Sequence, residues 1–147
     1  MSATREGIAV ALFNLLSSAT GVVFSSRRLQ HYESVNSANM PALFLTQGQE
    51  VFEEDGVQIG LSPKKKMTFT CYLYAHSGGL AISAPSTVLN GLIDAIETAL
   101  RPNLAAGQKQ TLGGLVVHCY IAGTIQTDEG VLGDIGVAVV PIEVLTT

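Results

Sequence analysis

Charged side chains are scarce in this sequence, at 14% of its 147 residues against about 25% in an average soluble domain. So few charges leave a lone subunit short of solvated surface, and large subunit interfaces are expected, because interface cores are depleted in charge; a compact monomer with a Ser/Thr/Asn-rich surface is the alternative reading. Basic residues are the rarer sign: 8 Lys and Arg stand against 12 Asp and Glu, for a net charge of −4. That excludes general nucleic-acid binding, which needs a basic footprint to displace counterions. Cysteine occurs only twice. Cys71 and Cys119 each sit in an alternating apolar pattern, which fits reduced, core-filling thiols and no metal or redox motif. Nowhere do 18 consecutive apolar residues occur, so no membrane-spanning helix is expected. The charge-free stretch 7–26 follows Arg5, but Glu6 and Asn14 interrupt a secretory pattern. Ile8, Leu12, Leu15 and Leu16 instead mark one face of an amphipathic helix.

Recognisable reaction chemistry is also missing. Gly78-Gly79 and Gly113-Gly114 lack the spacing and the lysine of a phosphate-cradling loop. His31, His76 and His118 form no zinc-ligand pattern with each other or with the cysteines. Asp128, Glu129 and Asp134 depart from the calcium-loop spacing. His118, alone on a strand, reads as a hydrogen-bonded structural residue rather than a catalyst. No catalytic, metal-binding or cofactor-binding residue is assigned, and binding without chemistry is the expectation.

The clearest positive signal is a helix over residues 86–101. Val88, Leu89, Leu92, Ile93, Ile96 and Leu100 draw one apolar stripe at a 3.6-residue period, with Asn90, Asp94, Glu97 and Arg101 mostly opposite. Ser83 or Ser86 can cap its start, and Pro102 ends it. Residues 67–75 alternate as a strand: Met67, Phe69, Cys71, Leu73 and Ala75 face one way, and Thr68, Thr70, Tyr72 and Tyr74 the other. Residues 115–122 read as a second alternating strand, with Leu115, Val117, Cys119 and Ile121 on one face. A first helix is expected from Thr4 to about Ser18, and short strands at 22–24, 41–46 and 57–61. Residues 27–39 read as a polar surface connection. Residues 127–134 form a hairpin loop leading into the last strand, 135–145, where Pro141 implies a bulge or an edge position. Lys64, Lys65 and Lys66 follow Pro63 and read as a solvated loop. The whole, residues 1–147, is expected to be a single α/β (α+β) domain with two main helices packed on a twisted sheet.

Several stretches, in order, resemble the tail terminator (minor tail, tail completion) proteins of long-tailed bacteriophages. They are Ser26-Arg-Arg28, Pro41-Ala-Leu-Phe-Leu45, Leu89-Asn-Gly-Leu-Ile-Asp-Ala-Ile96, Thr111-Leu-Gly-Gly-Leu-Val-Val-His-Cys119, Asp128-Glu-Gly-Val-Leu-Gly-Asp134 and Val140-Pro-Ile-Glu143. The resemblance implies a twisted mixed sheet with helices packed on it, in a subunit that assembles into a six-fold ring. Such a ring would cap the head-proximal end of the tail tube, stop its polymerisation and present a surface to the neck connector. Its partners would be further copies of the chain, the tube protein and a neck protein, with DNA passing through the lumen unbound. Its place would be the tail–neck junction of the virion, reached from the host cytoplasm during assembly. The family carries no catalytic motif. Asp128, Glu129 and Asp134 are expected to rim the lumen, and Arg27, Arg28, Lys64, Lys65 and Lys66 to contact acidic neighbouring surfaces. Tyr72 and Tyr74 suit a face buried against another subunit, since tyrosine is enriched at interfaces. Another neck connector (a head-completion or stopper ring) and a small-ligand-binding regulatory domain are the other readings the sequence leaves open.

Overall fold

A computed structural model describes residues 4–53, 64–76, 85–102, 109–129 and 134–146. It has an α+β fold in which two helices pack on one face of a six-stranded mixed sheet. The elements run α1 (Arg5–Ser17), β1 (Phe24–Ser26), β2 (Ala42–Glu53), β3 (Lys64–His76), α2 (Pro85–Ala99), β4 (His118–Ile121), β5 (Gln126–Asp128) and β6 (Ile135–Thr146). Strand order is β1-β2-β3-β6-β4, with β5 also paired to β6; β1 runs parallel to β2 and every other pairing is antiparallel.

Both helices form where their local signals place them. Thr4 caps α1 by accepting the Gly7 N–H on its hydroxyl at 2.9 Å, which satisfies one of the four amides a helix start leaves open. Ile8, Ala9, Leu12 and Leu16 of α1 and Leu89, Leu92 and Ile96 of α2 are buried against the sheet. There they meet Met67, Phe69, Cys71, Leu73 and Ala75 of β3 and Ala138, Val140, Ile142 and Val144 of β6. Period-3.6 stripes on the helices and period-2 rows on the strands thus make one core. Each large side chain sealed in it contributes about 1.5–3 kcal/mol.

The opposite face of the sheet is only half covered. Residues 27–41, 27–39 of them expected as a surface connection, turn twice through single 3-10 turns, Tyr32–Ser34 and Ser37–Asn39. They lay Val35 and Met40 on Ala42, Phe44 and Tyr74, making a second, smaller core. The solvent-facing edge of this connection is polar, which hid its buried side from a reading of composition.

Four further expectations are corrected by long-range pairing. β2 does not stop at Thr46 but runs to Glu53, through an irregularity between Gln47 and Glu50. Gly48 sits at that irregularity, where a Cβ would lie 3.3 Å from the Thr68 carbonyl oxygen. Lys64, Lys65 and Lys66 are not a loop: they open β3, opposite Glu53, Phe52 and Val51. The strand expected over 115–122 begins only at His118, because turns through Gly113 and Gly114, both at positive φ, carry the chain up to it. Leu115 and Val117 are consequently exposed while Val116 is buried, the reverse of the alternation expected. Finally, β6 is the hub of the sheet rather than an edge, although it contains Pro141. On one side Pro141 pairs with Thr70; on the other it faces the interval between β4 and β5, where its carbonyl accepts the Ala122 N–H at 3.1 Å. An antiparallel residue directs its N–H and C=O to the same neighbour, so the N–H that proline lacks would face Ala122, one residue past the last β4–β6 pair, Ile121 with Ile142, and the bond forgone lies at the end of that ladder. The strand expected over 57–61 lies outside the described residues.

Candidate functional site

Past the second core, on the face away from the helices, β3, β6 and β5 line up two cross-strand rows. Tyr72 stands opposite Val139, which stands opposite Gln126; Tyr74 stands opposite Val137, which stands opposite Asp128. Residues directly opposite in an antiparallel pair share a face. With Tyr32 from the first 3-10 turn and Thr127, these rows enclose a cleft of about 460 Å³. Tyr72 and Tyr74, expected at a contact face, and Asp128, expected in a channel loop, are therefore neighbours in one depression.

The two tyrosines of β3 do different work. Tyr74 is 5% exposed. Its ring centroid lies 5.2 Å from that of Phe44, and its hydroxyl donates to the Gln30 carbonyl at 2.6 Å. Burial, and then the neighbouring Tyr72, push its phenol above the ordinary range. Tyr74 thus fastens the 27–41 connection to the sheet, so its ring is engaged within the subunit and not held free for a partner. Tyr72 is half-buried and lines the cleft. Tyr32 closes one wall; desolvation, then Glu33, then Asp128 raise its phenol pKa. Aromatic faces beside carboxylates make a place where a cation is attracted and an anion is not.

The basic expectation resolves into an arm. β2 and β3 run antiparallel to a last described stretch that carries Val51, Phe52, Glu53, Lys64 and Lys65, with the connection 54–63 outside the described residues. The base of the arm is tied down. Arg5 Nε donates to Glu50 Oε1 at 2.6 Å, which holds the Glu50 carboxyl below the usual range. Lys66 Nζ lies 3.8 Å from Glu143 Oε2, which also accepts the Tyr120 hydroxyl at 2.8 Å. Towards its end Val51 is 54% and Phe52 53% exposed and Lys64 is exposed, while Lys65 still pairs with Thr146 of β6 on its other side.

The remaining expected residues scatter. Arg27 pairs through Nη1 with both carboxylate oxygens of Glu6, tying the connection to α1. Arg28 is exposed, and its backbone N–H donates to Ser26 Oγ at 3.0 Å. The three acids do not gather. Asp128 belongs to β5 and the cleft, and Asp134 is exposed just before β6. Glu129 reaches 43 residues back to accept the Ser86 N–H at 2.9 Å. A carboxylate at the positive end of α2 satisfies an open amide and complements the helix dipole; of the two serines expected to cap this helix, Ser83 lies outside the described residues, and Ser86 is the residue whose N–H Glu129 accepts. Residues 130–133 of that loop lie outside the described residues.

Reactive groups are withdrawn. Cys71 and Cys119 are free and buried, each thiol pushed up to about 12 by desolvation. His118 accepts the Gln110 N–H on Nδ1 at 3.2 Å and stacks on Tyr120 at 4.9 Å, as a structural histidine does. Among the described residues no group of three His, Cys, Asp or Glu is placed to hold a metal ion. Sequence reasoning singled out Tyr32 only as one of several contact-capable side chains in the 27–39 connection, and missed Gln126, Val137 and Val139; the alternation of 135–145 put the two valines on a common face, but nothing local told which strand would lie beside them.

The sequence matches no family model and no curated protein. The fold is similar to that of a chain in a solved structure described as the virion of a native gene transfer agent (GTA) particle. The two share 10% identity with a TM-score of 0.52, over 92% of this chain and 91% of that one. At that identity the likeness is one of fold.

Proposed function

We propose that this chain is a structural protein of a virion, a ring-forming tail terminator that caps the head-proximal end of the tail tube. The observation that carries the reading is the fold likeness to a virion chain, which extends over nearly the whole of both chains. The ordered stretches resembling tail terminators agree with it, and so does a chain with only 14% charged residues, whose flanks suit burial against copies of itself. The action is mechanical. Each subunit buries roughly 800 Å² against its neighbour. Contacts between two different patches, repeated by rotation, close into a ring. One ring face matches the tube and the other offers no site for a further tube subunit, so polymerisation stops there and the neck can attach. A net charge of −4 supplies no basic footprint, so DNA crosses the lumen without being held.

Electron microscopy of particles assembled without this protein tests the reading: overlong tails are expected. Tails of normal length, detached from heads, would assign a joining role in the neck instead. Complete, infectious particles would overturn a virion role altogether. In solution the purified chain, alone or with tube protein, is expected to reach the mass of six 15.4 kDa subunits.

A further inference from the structure

The tyrosine cleft and the β2–β3 arm are complementary in chemistry but cannot meet within one molecule. Lys64 and Tyr74 sit near opposite ends of β3, roughly 30 Å apart at about 3.3 Å per residue. The strand between them is paired along both sides, to β2 and to β6, so it cannot fold back to join them. We infer that the cleft formed by Tyr32, Tyr72 and Asp128 receives the lysine-bearing end of the β2–β3 arm of a second copy. The inference deepens the ring reading, on which it rests, by naming the two patches that touch.

Three observations select this occupant. The cleft offers aromatic faces with Asp128 at its wall and Glu33 beside Tyr32, an arrangement that attracts an ammonium group through both charge and ring quadrupole. The arm offers Lys64 and Lys65, with Glu53 opposite Lys64, beside two large exposed apolar side chains, Val51 and Phe52. Burying those side chains against another copy removes the apolar surface that a lone subunit leaves in water. A contact between two different patches is also the kind that propagates by rotation into a closed ring, whereas a self-complementary patch stops at a dimer. Two other depressions compete: the hollow between the end of α2 and β4 has Glu97, His118 and Tyr120 but also Arg101, which repels a lysine, and the other is the groove between α1 and α2. It is lined by small side chains such as Ala19, Gly91 and Ala95 with the single carboxylate of Asp94, and it has no aromatic face.

Sedimentation velocity on the purified full chain tests the contact by charge exchange. Lys64→Glu with Lys65→Glu, and separately Asp128→Lys, are each expected to weaken self-association at least about tenfold, as reversal of a close interfacial charge pair does. Mixing the two variants puts a reversed arm against a reversed cleft, and assembly is expected to return toward that of the parent protein. That rescue also shows both variants to be folded. Asp94→Lys is expected to assemble normally. If the parent protein assembles and the arm and cleft variants do so equally well, the ring stands and this contact is wrong. The contact is equally wrong if both variants fail but mixing rescues nothing, or if Asp94→Lys alone abolishes assembly. A parent protein that stays a single copy at high concentration and with tube protein present overturns the contact and the ring together.

Discussion

Replacing Tyr74 by phenylalanine and by alanine separates a hydrogen bond from a core contact at the point where the connection meets the sheet. The phenylalanine variant loses only the 2.6 Å bond to the Gln30 carbonyl. Gln30 is exposed, so water can replace the lost donor, and the cost should stay near the usual net value of about 1 kcal/mol. The alanine variant also removes a ring that is 5% exposed and packed 5.2 Å from Phe44 in a five-residue cluster. Transfer and cavity terms together put that loss at about 3–5 kcal/mol. At this chain length each kcal/mol moves the thermal midpoint by about 2–4 °C, so the alanine variant should melt on the order of 10 °C lower. Urea titrations with unchanged slope measure both values directly. Should the alanine variant lose no more than the phenylalanine one, the second core is not packed, and the wall that Tyr32 builds for the cleft loses its support.

Other outcomes follow from the same contacts. Glu129→Ala is expected to cost about 0.5–1 kcal/mol by uncapping α2, with Glu129→Gln between it and the parent; identical urea midpoints would remove Glu129 from that role. Cys71 and Cys119, with thiols held near 12, should resist a thiol reagent at about pH 8 in the native protein and react in denaturant. Because burial raises both above the ordinary value of about 8.5, the stability gained by keeping them neutral is complete below that pH. It is lost progressively as the pH climbs toward 12, so thermal midpoints should fall over that window, and less steeply when both cysteines are replaced by valine. Pro141→Val is expected to raise stability by about 1 kcal/mol, the usual net worth of one backbone hydrogen bond, because the restored N–H faces Ala122, whose own N–H the Pro141 carbonyl already accepts; an unchanged or lower midpoint in a urea titration would show that this N–H finds no acceptor there.

Much of the site was out of reach of the sequence for one reason. Tyr72 and Tyr74 were legible as one face because alternation is a property of a single strand. That Asp128 would stand across β6 from Tyr74 depends on the β5–β6 and β3–β6 registers, which no stretch of either strand contains. Glu129 is the sharper case: its three-acid loop looked like one feature, yet its backbone sends one side chain to the cleft and another to a helix start 43 residues away.

By itself the sequence determined what short-range periodicity can determine. It set both helices with their buried stripes, the inward row of β3 from Met67 to Ala75, the burial of both cysteines and an α+β class. These depend on residues three or four apart on a helix, or two apart on a strand, whose shared face is set by backbone geometry alone. Tertiary structure decided the rest. Pairing with β2 turned three lysines from a loop into the start of a strand. A break between β4 and β5 let a proline sit in the middle of the sheet. The turns of residues 27–41 gave the second face a core and the cleft a wall. Each of these outcomes is a backbone polar group or an apolar side chain finding its partner far along the chain, and which partner it finds is a property of the folded whole.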